Sequence, residues 1–395
     1  MLSTREVFTW AAFYLVVATL LVVTGFASDD PDSALYANLS ARLAELPASH
    51  WIAPQWWGYW DSEGWFREHP AGVFLLPTVL AQIGLPAIQG SYVVGTAAGL
   101  GSLLLIGMLV SRMTSGAEGR AALILLQLMP VAFLFRIRAN HEYPMLLCTL
   151  LVLAGLDGVR RAWWWAAVVA AAFTAALLVK AVFVVLIAVA AVLWIAINPT
   201  RAAGSFARPI AALAIAGVVM AITAVAYDAA YFHVTGEAFW GPYWRRQLGP
   251  LTIATPLENA SMLASHLWFY ITRLLWHAAP WSITLVVVVW QWRGQLRSIW
   301  QTTDMSARRG VLFGALFVAL AVVILSPASR FAERYAFSAT YALGTLGAVV
   351  AWRAWPRMAR ALGAIDRTVP ALPAVLWFAL LIGRLIIGPF LPRIS

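Results

Sequence analysis

The sequence predicts an all-α polytopic membrane protein of about eleven transmembrane helices, and three observations predict it. Of 395 residues, 62% are hydrophobic and 11% charged, with a mean hydropathy of +0.79, whereas a water-soluble domain carries about 25% charged residues. Apolar runs near the roughly 20 residues that cross a bilayer recur along the chain, among them Leu123 to Phe135, Ala181 to Ile197, Ile210 to Ala226 and Val311 to Leu325. The arginines fall in groups between these runs, so the net charge of +10 reads as a set of topology signals and not as a nucleic-acid surface.

The first span, residues 7–25, follows Arg5. It is long for a signal-peptide core and no small-x-small cleavage site precedes Asp29, so it reads as a retained helix. A first outer loop, residues 27–90, comes next and contains the stretch Gly72 to Leu85, apolar but short, interrupted by Pro77 and followed by Pro86. A span at that point would carry every later arginine group to the outer side, so residues 72–86 are expected as a re-entrant or interfacial helix, with amphipathic helices elsewhere in the same loop. The remaining spans are expected at 91–110, 121–135, 144–159, 163–179, 181–197, 209–227, 266–290, 311–326, 335–352 and 371–390.

With these spans, alternate connections carry the arginines: Arg112 and Arg120, then Arg160 and Arg161, then Arg201 and Arg208, then Arg293, Arg297, Arg308 and Arg309, and last Arg353, Arg357, Arg360 and Arg367. The positive-inside rule places those connections and the N-terminus in the cytoplasm. A second large outer loop spans residues 228–265, and residues 1–395 read as one transmembrane domain without a separate soluble domain. The single cysteine, Cys148, lies in an apolar run; it excludes an intramolecular disulfide and reads as a small buried hydrophobe.

Function is expected in the outer loops, where ionisable residues gather in five constellations. Asp29, Asp30 and Asp32 crowd together directly after the first span, followed by Tyr36; three carboxylates at a membrane surface need a cation, a basic side chain or a proton to offset them. The plainer alternative is a helix N-cap before Pro31. Glu68-His69-Pro70 follows the tryptophans Trp51, Trp56, Trp57, Trp60 and Trp65, which mark an interface or stack on a sugar ring. Arg136, Arg138, Asn140, His141 and Glu142 form a tighter polar knot than a turn between spans needs.

Lys180, the only lysine, sits between two apolar runs; a half-buried cation there seeks a phosphate or carboxylate, or else snorkels to headgroups. In Ser326 to Tyr335, Arg330 and Arg334 stand four apart, a spacing that suits a phosphate clamp or an ion pair with Glu333. The run Arg273 to Trp281 also places Arg273 and His277 within an apolar stretch.

In their order along the chain these features resemble the GT-C glycosyltransferases, in the branch of the protein O-mannosyltransferases and the lipid A aminoarabinose transferase. That branch carries Asp-Glu-x-x-Tyr after helix one, and Asp32-Ser33-Ala34-Leu35-Tyr36 occupies the place, with Ser33 where the second acid stands and Asp30 available in its stead. Glu68-His69-Pro70-Ala71 is similar to its Lys-Pro-Pro or His-Pro-Pro segment, His141-Glu142-Tyr143-Pro144 to its acid before Met-Pro, and Val179-Lys180-Ala181 to its Thr-Lys-Gly. Ala279-Pro280-Trp281-Ser282 echoes Leu-Pro-Trp-Ser, and Ser326 to Tyr335 echoes Ser-x-x-x-Arg-x-x-x-Tyr.

The resemblance implies a GT-C fold and inverting transfer of a sugar from a polyprenyl-phosphate donor to a lipid, glycan or protein acceptor at the outer face of a bacterial inner membrane. Asp32, with Asp30 and Glu142, would carry the catalysis; Lys180, Arg330, Arg334, Tyr335, His69, Glu68, Tyr36 and Arg138 would bind the donor and its phosphate. This chemistry requires no nucleotide or Gly-rich loop, and the transfer is expected to be metal-independent or weakly metal-dependent. A divalent cation could join through His69, His141 and the carboxylates, although their spacing matches no dedicated metal site. The alternative reading is a transporter or flippase of a lipid-linked or anionic solute, which should show inverted repeats and glycine-broken helices at the midplane.

Overall fold

The computed structural model describes residues 3–56, 64–200, 206–248, 256–327 and 332–388, and the contacts below concern these residues. They are helical, with no strand among them beyond one isolated antiparallel bridge between Gln55 and Trp65. Helix α1 (Thr4–Val23) opens on a capping box in which the Ser3 hydroxyl accepts from the Glu6 amide and Glu6 reaches back to the Ser3 amide. Helix α2 (Pro31–Glu45) starts with Asp30 at its N-cap and Pro31 in its first turn, the residue types those positions favour.

The short apolar helix α3 (Gly72–Gln82) precedes α4 (Ala87–Met113), which packs against α1, α2, α3, α5 and α7. Helices α5 (Gly116–Leu125) and α6 (Pro130–Phe135) share the expected span 121–135, interrupted where Pro130 cannot donate a backbone hydrogen bond. Then come α7 (Glu142–Gly158), α8 (Trp165–Lys180), α9 (Val184–Ile197), α10 (Ala207–Thr235), α11 (Trp240–Leu248), α12 (Pro256–His277), α13 (Trp281–Gln291), α14 (Leu296–Thr302), α15 (Met305–Leu325), α16 (Phe337–Ala354), α17 (Pro356–Thr368) and α18 (Leu372–Ile387).

Among the described residues five apolar stretches are long enough to cross a membrane by themselves: Thr4–Val23, Ala87–Met113, Trp165–Ile197, Ala207–Thr235 and Met305–Leu325; two bent pairs raise the number to as many as seven if each is one span. The third stretch folds back on itself. Ala166 at its start packs on Val159, and Thr200 just past its end bonds to Asp157, so both ends lie beside the last turn of α7. The reversal falls at the 3-10 turn Ala181–Phe183, immediately after Lys180.

One expected span differs in kind. Residues 266–290 do not form a straight helix, because α12 and α13 meet at 97° around Ala278 to Pro280. Proline at that point breaks the backbone ladder. Helix α10 also runs eight residues past the expected 227 to Thr235, and α11 follows it, so much of the second long connection is helical.

The fold separates charge by end. Arg112 pairs with Asp157, Arg120 with Glu6 and Asp366, and Arg353 with Glu118 at one end of the bundle. Asp30, Asp32, Glu68 and Glu142 gather at the other. Between them lies a core that includes Val17, Leu21, Leu103, Leu126, Val152 and Ala348. One close approach sets the height of the second end: a β-carbon on residue 95 would stand 2.3 Å from the Arg138 carbonyl oxygen, so α4 meets the loop carrying Arg138 only because position 95 is glycine.

Candidate active site at the acidic end of the bundle

Three segments far apart in sequence converge here: the start of α2, the turn before α7, and the reversal after α8. Asp30 caps α2 by accepting from the Ser33 amide at 3.0 Å and the Ser33 hydroxyl at 2.6 Å, and Arg138 Nη1 stands 3.4 Å from its other oxygen. The Ser33 hydroxyl, fully buried, also accepts from the Ala139 amide at 3.2 Å. The position that departs from the family pattern is therefore a clamp: a hydroxyl donates to Asp30 and receives an amide at once, which a carboxylate could not do.

Asp32 in the first turn of α2 pairs with Arg334, whose Nε lies 3.9 Å from Glu142 Oε1. Arg334 thus joins the first and second acidic positions and does not pair with Glu333, which stands 3.8 Å from Arg273. Glu142 opens α7 and is 2% exposed. Neither of its carboxylate oxygens has a hydrogen-bond partner among the described residues, and the neighbouring nitrogens, His141 Nε2 at 3.5 Å and Arg334 Nε at 3.9 Å, are too far for strong bonds.

Lys180 ends α8 and is 1% exposed. Its Nζ donates to His141 Nε2 at 2.7 Å and lies 4.6 Å from the centre of the Tyr335 ring and 5.0 Å from that of Phe183, so rings and a neutral imidazole surround the ammonium. That hydrogen bond puts the His141 proton on Nδ1, a buried atom with no partner among the described residues. His69 sits edge-on to His141 with ring centres 5.0 Å apart, its Nε2 2.7 Å from the Tyr36 hydroxyl. Burial, with Lys180 as the nearest cation, pushes both histidines well below the usual 6.5; both are neutral at pH 7.

The rim is built by the long connections. Arg246 of α11 pairs with Glu68 at 2.8 Å and Gln247 donates to the Glu68 carbonyl at 2.7 Å. Arg67 pairs with Glu237, and the Tyr227 hydroxyl receives the Ala71 amide at 2.9 Å. Of the expected site residues, Asp30, Asp32, Tyr36, Glu68, His69, Arg138, Glu142, Lys180, Arg334 and Tyr335 are thus brought to one end, and Arg330 lies outside the described residues. Three contributors escaped the sequence reading. Ser33 was visible only as a missing acid, Arg246 was one of a pair in a connection already marked, and Arg384 of α18, close enough to Asp30 and Arg138 to feel their charges, was signalled by an arginine inside an apolar run.

Among the described residues no three His, Cys, Asp or Glu side chains are grouped to hold a metal ion, and the carboxylates of Asp30 and Asp32 already face arginines.

Three solved structures share the architecture. ArnT from Cupriavidus metallidurans, a lipid A aminoarabinose transferase, aligns in its apo state with a TM-score of 0.59 and 17% identity over 90% of this chain and 61% of that one. Bound to undecaprenyl phosphate, it aligns with a TM-score of 0.62 and 16% identity over 94% and 64%. The Archaeoglobus fulgidus oligosaccharyltransferase, in complex with zinc and sulfate, gives 0.50 and 12% over 94% and 53%. This chain therefore spans less than two thirds of the length of each neighbour. No protein-family model matches the sequence, and no curated protein matches it either. At these identities the likeness is one of fold: the chain is a helical, multi-pass membrane protein with the GT-C fold of these glycosyltransferases.

Proposed function

We propose that this protein is a glycosyltransferase that moves a sugar from a polyprenyl-phosphate donor to an acceptor on the outer face of a bacterial inner membrane, with inversion at the anomeric carbon. One observation carries the reading: a buried lysine and a buried glutamate stand beside two neutral histidines with the carboxylate unbonded. Burying such groups without strong partners costs several kcal/mol (~), a cost that a fold retains where a charged ligand completes the set. The undecaprenyl phosphate bound to the ArnT neighbour supports a lipid phosphate as that ligand.

The residues divide the chemistry between them. Lys180 and Arg334, with Arg330, hold the donor phosphate and offset the charge that builds on it as the bond from the anomeric carbon to the phosphate oxygen breaks. Asp32, more exposed than Glu142, accepts the proton of the acceptor hydroxyl as that oxygen attacks the opposite face of the sugar. When the phosphate arrives it competes for Arg334, which releases Asp32 from its ion pair to act as base. Glu142 shapes the pocket floor and orients the acceptor, while Tyr36, His69 and Tyr335 line the sugar. No step is routed through a metal.

Native mass spectrometry of the purified protein with polyprenyl phosphate, with and without an attached sugar, tests this reading. Retention of the sugar-carrying lipid by the wild-type protein and its loss in Lys180→Ala are expected. Absence of retention at every lipid concentration would overturn the donor assignment and leave a fold shared without the function.

A further inference from the structure

The arginine-rich end of the bundle carries a second feature that the transfer reaction does not use. Helix α17 leaves α18 at 93°, the posture of a helix lying along a membrane surface. Between α17, the end of α16 and the start of α5 opens a cleft of ≈530 Å³, lined by Ser115, Trp352, Arg353, Arg360 and Arg367 among others. The nearby acids are already engaged. Glu118 receives Arg353 Nε at 2.5 Å, and Asp366 receives Arg120 at 2.6 and 2.8 Å. Arg360 and Arg367 make no ion pair among the described residues, and each spends its Nε on a carbonyl of its own helix, at 3.4 and 3.1 Å. Their remaining guanidinium donors are exposed to the cleft side.

Arg353 belongs to a second cavity as well. That cavity, ≈150 Å³, runs among α4, α7, α9, α15 and α16 and is walled by apolar side chains such as Leu109, Leu150, Trp194, Phe313 and Val349. It runs along α16 from Arg353 to Tyr341 and Ser338, so that Arg353, where the two cavities meet, stands about 25 Å along the helix from Phe337 and the candidate active site at about 1.5 Å per residue. A basic cleft and an apolar slot that meet at one arginine are complementary to an amphiphile: an anionic head held by forked donors, and a hydrocarbon chain taken into a space too apolar to hold water.

We infer that this end binds an anionic glycerophospholipid, its phosphate on Arg360 and Arg367 and one acyl chain passing Arg353 into the apolar cavity, with a head site separate from that of the donor phosphate at the opposite end. The apolar cavity adjoining the cleft favours a phospholipid over a free anion, because the head site alone is open to water and would be screened by salt.

Detergent-purified protein would be titrated with dioleoyl phosphatidylglycerol and, separately, dioleoyl phosphatidylcholine, and bound lipid counted by native mass spectrometry. The wild-type protein should prefer phosphatidylglycerol by about thirtyfold, the contribution expected of two arginines at an anionic headgroup. The double substitution Arg360→Gln, Arg367→Gln should lose that preference, whereas Arg293→Gln with Arg297→Gln, exposed arginines that line neither cavity, should keep it. Leu150→Trp, which fills the apolar slot, should weaken retention of the long-chain lipid. Equal retention of the two lipids, an equal loss in the Arg293 and Arg297 control, or displacement of the lipid by millimolar inorganic phosphate would overturn the assignment.

Discussion

The two ends of the bundle hold similar numbers of charged groups and use them in opposite ways. At the arginine-rich end the buried acids are answered directly: Asp157 by Arg112 at 3.0 Å and by Thr200, Glu118 by Arg353 at 2.5 Å. At the acidic end Lys180 leans on a neutral imidazole, and the Glu142 oxygens go without a hydrogen bond. A buried charge that is matched ties helices together; a buried charge that is unmatched weakens the fold and waits for a ligand. Substitutions at the two ends should therefore separate cleanly, one set costing catalysis and the other stability.

The largest effect is expected at Asp32. Asp32→Asn keeps the shape of the first turn of α2 but removes the proton acceptor, so turnover should fall about 10³- to 10⁴-fold while the sugar-carrying lipid is still retained in native mass spectrometry. A fully active Asp32→Asn protein would sink the assignment of the base. Next is Lys180→Ala, expected to cut turnover about 10²- to 10³-fold by removing a cation from the leaving phosphate and to weaken donor binding. Because the hydrogen bond that holds this lysine among the described residues goes to a neutral imidazole, the thermal midpoint of the variant should stay level or rise. A sharp fall would make Lys180 a structural group and erase the contrast between the ends.

Much of this contrast was legible in the sequence, for physical reasons. Hydropathy reports where backbone must be helical, and grouped arginines report which connections share an end, because both follow from the cost of polar groups in hydrocarbon. The solitary lysine and the knot from Arg136 to Glu142 were conspicuous for the same cause. What stayed hidden were relations that only three-dimensional approach creates. For Arg334 the sequence offered a phosphate clamp or an ion pair with Glu333, and the acid it meets is Asp32, on a helix 300 residues away by number; ion-pair partners are chosen by geometry, not by spacing. The 97° bend at Ala278 to Pro280 was invisible to a window that averages apolarity across a break. Ser33 looked like a defect because a motif records acids, whereas its hydroxyl bridges Asp30 to the Ala139 amide.

At the matched end, Arg112→Ala should leave turnover unchanged and lower stability by about 3 kcal/mol, since it strands the Asp157 carboxylate, 1% exposed, without its cation. Thermal unfolding in detergent with a parallel activity assay reads both. Loss of activity without loss of stability would show that this end takes part in transfer.

The last effect, smallest when taken per histidine and pH unit, concerns acid. His69 and His141 are held neutral in the fold, well below the ordinary 6.5, but are free to take a proton when the chain unfolds. The unfolded state therefore binds more protons below pH 6.5, and stability falls as the pH drops from 6.5 toward the folded-state values, by up to about 1.4 kcal/mol per pH unit for each histidine. Above that window the histidines contribute no slope. Glu142, whose carboxyl burial pushes up to about 7, contributes the opposite slope, so the test is the difference: from pH 7.5 through 6 to 5 the unfolding midpoint should fall more steeply for the wild-type protein than for His69→Gln with His141→Gln. Equal slopes would mean that both rings are protonated in the fold; Lys180 would then face a second cation at 2.7 Å, and the neutral-partner account of the acidic end would fail with it.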